Sequence, residues 1–136
     1  MFAARQQHLV ELILPALARG AWVLSDRFTD ASYAYQGGGR GIAAGRIAAL
    51  ETWVQRGFGP DLTLLFDVPP AVAEARRSAA RAADRFEREA DSFFGRVRQA
   101  YLDRAQAEPA RMRVLDARKG IAELQAEIAG LLAGIA

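Results

Sequence analysis

The chain has 136 residues, 51% of them hydrophobic, a formal net charge of +2 and no cysteine. That is enough for one domain, residues 1–136, with a real core, and too apolar for intrinsic disorder; a disulfide framework or thiolate metal site is excluded. The charge makes no case for nucleic acid, no apolar run is long enough for a bilayer and no signal peptide is visible, so the expectation is a cytoplasmic protein with neither nucleic-acid nor membrane partner.

Residues 2–19 read as a helix carrying Leu9, Ile13 and Leu17, with Pro15 as a bend and Gly20 as the stop. Residues 21–25, Ala-Trp-Val-Leu-Ser, read as a short buried strand, and 28–35 as a short helix or loop broken by the glycines at 37–39. A helix over 43–57 carries Ile47, Leu50 and Val54 and ends at Gly57. Leu62 to Asp67 is a second buried strand, and Val68-Pro69-Pro70 opens a helix through Arg77. Residues 78–84 lack an apolar stripe and read as a mobile segment; the helix after them shows Phe86, Ala90, Phe93, Phe94, Val97 and Tyr101 on one face. Residues 113–116 form a third strand, and a last helix over 120–134 turns Leu124, Ile128 and Leu131 inward. Short apolar strands separated by helices predict an α/β fold with a parallel sheet flanked by helices, three strands being recognisable.

Ligands of such folds bind at the carboxyl ends of strands. Asp26-Arg27 stands at one such end, where a guanidinium grips a phosphate through two parallel hydrogen bonds and a neighbouring carboxylate orients it or takes part in a water-metal network. An isolated Asp-Arg is equally well a structural ion pair. Ser32, Tyr35 and Gln36 follow, ahead of three glycines and Arg40-Gly41. A ring for a sugar or base and a hydroxyl or amide for a base edge fit a nucleoside; the bland alternative is an ordinary glycine turn. Phe2 and Arg5 share a helical face and suit a base, or are one core aromatic and one solvated arginine.

Seventeen of the eighteen basic residues are arginine. Composition bias accounts for such an excess as a whole, so each anion-binding role needs its own argument. Arg76, Arg77, Arg81 and Arg85 lie in a small-residue segment between helices, suited to a lid that closes over phosphates or to a solvated face. Glu87 stands at the start of the next helix. His8, the one histidine, has no second ligand beside it, so no metal site is expected from side chains. Asp67 either faces the crevice or caps the Val68-Pro69-Pro70 turn.

Together these residues resemble the bacterial thymidylate kinases, over essentially the whole chain and in order. Phe2-Ala3-Ala4-Arg5 with Pro15-Ala16-Leu17 looks like the family's thymine-contacting helix. Asp26-Arg27-Phe28 looks like its Asp-Arg-aromatic motif. Tyr35 to Gly41 is very close to its bacterial signature, and Pro60-Asp61-Leu62-Thr63 and Asp84-Arg85-Phe86-Glu87 also fit. The resemblance implies phosphoryl transfer from ATP, with Mg2+, to thymidine monophosphate (dTMP), giving dTDP for dTTP synthesis. It implies that Phe2 and Arg5 meet thymine, Asp26 and Arg27 the monophosphate, Ser32 and Gln36 the base edge and Tyr35 the sugar. Arg27 and the arginines at 76, 77, 81 and 85 would supply catalytic charge, and Glu87 would organise the acceptor side. Asp116-Ala117-Arg118 would lie at the adenine. The family's stacking aromatic often falls where Met1 stands, one step before Phe2. A homodimer through the first helix is also implied.

Family members begin with a strand and a glycine-rich phosphate loop ending in Gly-Lys-Ser/Thr. No such loop occurs in these residues, whose sole lysine is Lys119. Its backbone amides cradle the donor phosphates and its hydroxyl ligates magnesium. The expectation is therefore the carboxyl-terminal part of such a kinase, lacking the central phosphate-loop strand, with Met1 internal to a longer chain and no turnover on its own. The competing readings are a non-catalytic nucleotide-binding or interaction module and a deoxynucleoside kinase relative.

Overall fold

The computed structural model describes residues 1–78 and 86–135, excluding the side chains of Glu74, Arg77, Ser78 and 86–91. The chain divides into two compact units, Met1–Gly59 and Pro60–Ala136.

The first unit is helical. Helix α1 (Phe2–His8) runs into a π-helical turn at Leu9–Ile13 and then α2 (Leu14–Ala18). Pro15 explains the widened turn. It has no N–H to offer the carbonyl of Glu11, and its ring presses on that carbonyl. The Leu14 N–H accordingly reaches five residues back, to Leu9. The widened turn places Leu9 and Ile13 in the core. After Gly20 the chain runs without regular structure through residues 21–28 to α3 (Thr29–Ser32).

The strand expected over 21–25 does not form. A strand needs a neighbour for its backbone N–H and C=O groups; the only strands among the described residues pair with each other, and Leu24 is 99% exposed. Three strands are thus reduced to two. The glycines at 37–39 also do not break the helix, because a second π-helical segment spans Tyr33–Gly39. A Cβ on Gly37 would stand 3.4 Å from the end of the Ile47 side chain, an ordinary contact, and within residues 37–41 positive φ falls at Gly41 alone. Helix α4 (Ala44–Gln55) packs against α1 and buries Ile47 and Val54. It stops where Arg56 turns left-handed, at φ 51°, just before Gly57.

The second unit is the α/β part. Strand β1 (Thr63–Asp67) and strand β2 (Met112–Asp116) are parallel, in register from Thr63 opposite Met112 to Asp67 opposite Asp116. Parallel neighbours require a long crossover, which here includes α5 (Pro70–Ser78) and α6 (Phe86–Ala107). Helix α6 packs on both strands, with Val97, Ala105, Met112 and Leu115 as the core. Helix α7 (Ile121–Ala133) half-buries Leu124, Ile128 and Leu131, the face read from the sequence. No described helix is long and apolar enough to cross a membrane.

Candidate functional site

In the first unit, Arg5 is the centre of a small corner. Its Nη2 donates to Ser32 Oγ at 3.0 Å and to the Phe28 carbonyl at 3.3 Å. Its guanidinium lies 4.7 Å from the Phe2 ring centroid and 5.1 Å from that of Phe28. Burial pushes the Arg5 pKa down, against the raising influence of Glu51 and Asp30. The corner is not closed on itself: Arg5 Nη1 and Gln6 Oε1 are buried polar atoms without a hydrogen-bond partner. Such orphans are rare in native proteins and point to a missing partner. Ser32 is fully buried, and its hydroxyl also donates to Met1 Sδ at 3.5 Å. Phe2 and Met1 therefore both reach this corner, Phe2 through Arg5 and Met1 through Ser32.

Asp26 and Arg27 are exposed in the turn that leads to α3. Arg27 adopts φ 65°, a left-handed backbone uncommon for a residue with a Cβ, and Ser25 Oγ donates to its carbonyl at 3.1 Å. Its guanidinium stands 5.0 Å from the Tyr35 ring centroid. Tyr35 and Gln36 are half-buried on the π-helical segment, a form that frequently occurs at functional sites. The expected residues Phe2, Arg5, Asp26, Arg27, Ser32, Tyr35 and Gln36 all belong to this one unit.

The second unit collects charge at the carboxyl ends of its strands. Asp67 accepts from Arg98 Nε at 2.6 Å and Nη2 at 2.8 Å, and its carbonyl accepts the Ala117 N–H at 2.8 Å. Asp116 accepts from the side chain and backbone N–H of Arg118. First the side-chain bonds, then the backbone bond, hold its pKa down at about 2. Arg76, expected on the lid, donates instead to the Ala117 carbonyl at 3.1 Å. Lys119 pairs with Glu127 at 2.7 Å. A cavity of about 390 Å³ opens beside β1, lined by Leu65, Asp67, Phe94, Arg98 and Tyr101 among others. Arg81 and Arg85 lie outside the described residues, as do the side chains of Arg77 and Glu87. Arg98 is the member of this strand-end charge cluster that sequence reasoning missed. It follows Val97 on the apolar stripe of α6 and reads as solvated edge, with no signal of its partner.

A family model described as thymidylate kinase matches residues 1–128. The chain belongs to the thymidylate kinase family. It is similar to the thymidylate kinase of Thiobacillus denitrificans, 81% identical over 132 residues, and to that of Chromobacterium violaceum, 62% identical over 127. These alignments cover 97% and 93% of this chain, but 65% and 60% of the relatives, so the chain spans less than two thirds of their length. It is also similar to the crystal structure of thymidylate kinase from Ehrlichia chaffeensis. The TM-score is 0.74 at 29% identity, covering 97% of this chain and 60% of that one. Thymidylate kinases are transferases, and their shared fold is α/β, as found here.

Among the described residues no all-protein magnesium cage occurs, and Asp26, exposed beside Arg27, is the carboxylate that could join a water-metal network through substrate phosphates. The two strand-end carboxylates, Asp67 and Asp116, are each held by an arginine fork, and no group of three or more potential ligands occurs among the described residues.

Proposed function

We propose that this chain carries the thymidylate-accepting site of a thymidylate kinase, and that the whole enzyme phosphorylates dTMP to dTDP with ATP and Mg2+. The reaction forms a bond from a dTMP phosphate oxygen to the γ-phosphorus of ATP and breaks the bond from that phosphorus to the bridging oxygen, releasing ADP. The observation that carries the reading is the Arg5 corner. A buried guanidinium nitrogen without a partner, beside a hydroxyl and between two rings, offers what a pyrimidine carbonyl and its flat ring need.

Arg27 takes the monophosphate in a bidentate grip, with the Tyr35 ring beneath its guanidinium and against the sugar. Asp26 orients that grip, and Ser32 and Gln36 complete the base edge. Arg77, Arg81, Arg85 and Glu87 act from the lid and the start of α6, whereas the bond from Arg76 to Ala117 supports an anchoring role beside the adenine loop. The guanidinium of Arg118, held in plane by Asp116 and 60% exposed, suits stacking on adenine. A homodimer through the first helix would cover its exposed Val10, Leu12, Leu14 and Leu17, and the enzyme is proposed to be cytoplasmic.

Because no Gly-Lys-Ser/Thr loop occurs in the 136 residues, a coupled assay of this chain with ATP and dTMP is expected to show no turnover. ATP-dependent turnover would overturn that part of the proposal. Amide chemical-shift mapping with dTMP tests the site itself: shifts should centre on Arg5, Arg27, Ser32 and Tyr35. Shifts confined to residues 60–135 would place the ligand elsewhere.

A further inference from the structure

We propose that Gln55 is a positioning residue for Arg27, acting through Thr29 to set the geometry of the acceptor-phosphate grip; this rests on the thymidylate reading above. Among the described residues, two non-glycine residues have positive φ, Arg27 and Arg56. Such backbones persist only where their surroundings over-determine them. Both flank one buried contact. Thr29 Oγ1 donates to Gln55 Oε1, two residues after Arg27. Gln55 Nε2 donates to the Phe58 carbonyl at 2.8 Å, and the Phe58 N–H returns to the Gln55 carbonyl at 2.8 Å. The left-handed turn at Arg56 is what lets Phe58 double back. Its ring then meets Phe28 edge-on, with centroids 6.4 Å apart.

The end of α4 thus holds Phe28 and Thr29 by a ring contact and a hydrogen bond, while Ser25 holds the Arg27 carbonyl from the other side. Gln55 is only 4% exposed. A buried amide is a costly way to fill space that leucine fills well. What the amide adds is direction, because each of its polar atoms is aimed at one partner. The sequence between Arg27 and Thr29 is too short to absorb a shift at Thr29 without moving the Arg27 backbone.

The test is calorimetric titration of dTMP and thymidine into the 136-residue chain and its Thr29→Val, Thr29→Ser and Gln55→Leu variants. Wild type is expected to prefer dTMP. Thr29→Val and Gln55→Leu should each lose roughly ten-fold of that preference, the scale of one weakened charge-assisted grip, with thymidine affinity nearly unchanged. Thr29→Ser should keep it. In an Arg27→Ala background Thr29→Val should cost nothing further, since its effect passes through Arg27. Equal weakening of both ligands, or an unchanged ratio in Thr29→Val, would overturn the proposal by showing a merely structural role or none. If Gln55→Leu fails to fold, the Thr29 pair still decides. Absence of any dTMP preference in wild type would instead overturn the thymidylate reading, and this inference with it.

Discussion

Replacing Arg5 with methionine should separate stability from binding. In the unliganded protein the guanidinium makes one good hydrogen bond, at 3.0 Å, and one long one, at 3.3 Å. Bonds from a charged donor contribute about 1.5–3 kcal/mol each at best. The ring contacts add about 0.5–2 kcal/mol. Against this stand the desolvation that lowers the Arg5 pKa and the orphaned Nη1, a buried donor that costs about 1–3 kcal/mol. Methionine is flexible and polarisable enough to fill the space between Phe2 and Phe28. The opposing contributions nearly cancel, so the net change in unfolding free energy should stay within about 1–2 kcal/mol. Binding has no such compensation. Loss of a charged donor to a base carbonyl should weaken dTMP by roughly 10- to 100-fold. Urea unfolding and dTMP calorimetry on the same preparations measure both. A variant destabilised by more than about 4 kcal/mol, or one that binds dTMP as wild type does, would refute the reasoning.

Breaking the Asp67–Arg98 fork with Arg98→Met should destabilise the protein by about 1–2 kcal/mol, between the values of surface and buried pairs, measured by thermal unfolding; an unchanged midpoint would contradict it. Leu115→Ala, at a side chain 1% exposed, should cost about 2–5 kcal/mol in urea unfolding, and a loss below about 1 kcal/mol would argue against its core position. Asp116 titrates low because Arg118 holds it. A depressed carboxylate pKa means its contribution is fully present above the unfolded value near 3.9 and disappears as pH falls through about 2. In NMR titration Arg118→Ala should raise the Asp116 carboxyl toward about 3.9 without reaching it, because the backbone N–H of residue 118 still donates to it; a value still near 2 would assign the shift to another group.

Strand β1 was legible as an apolar run after Pro60-Asp61, and β2 as a short stretch around Val114 and Leu115 that ends at Asp116, ahead of a turn. Residues 21–25 are as apolar as β1 and do not pair, since pairing depends on a neighbour that local sequence does not record. Pro15 announced a bend, but its form, a π-helical turn, comes from the carbonyl its ring displaces. Tyr33–Gly39 was misread for the opposite reason: glycine permits many backbones, and local sequence does not say that the helix continues through Gly39. The residues proposed for the site were singled out where a motif carried them, at Arg5, Asp26-Arg27, Ser32 and Tyr35, and all of them fall in the first unit. Gln55 and Arg98 were not. Both look like polar edges of helices, and only contacts 26 and 31 residues away give them a partner.

The most direct measurement is calorimetric titration of dTMP into the chain and into its Arg27→Ala variant, with thymidine as the control. The thymidylate reading predicts one site, tighter for dTMP than for thymidine in wild type, with the difference abolished in Arg27→Ala. Equal affinity for the two ligands in wild type, or a dTMP preference that survives the loss of Arg27, would contradict it.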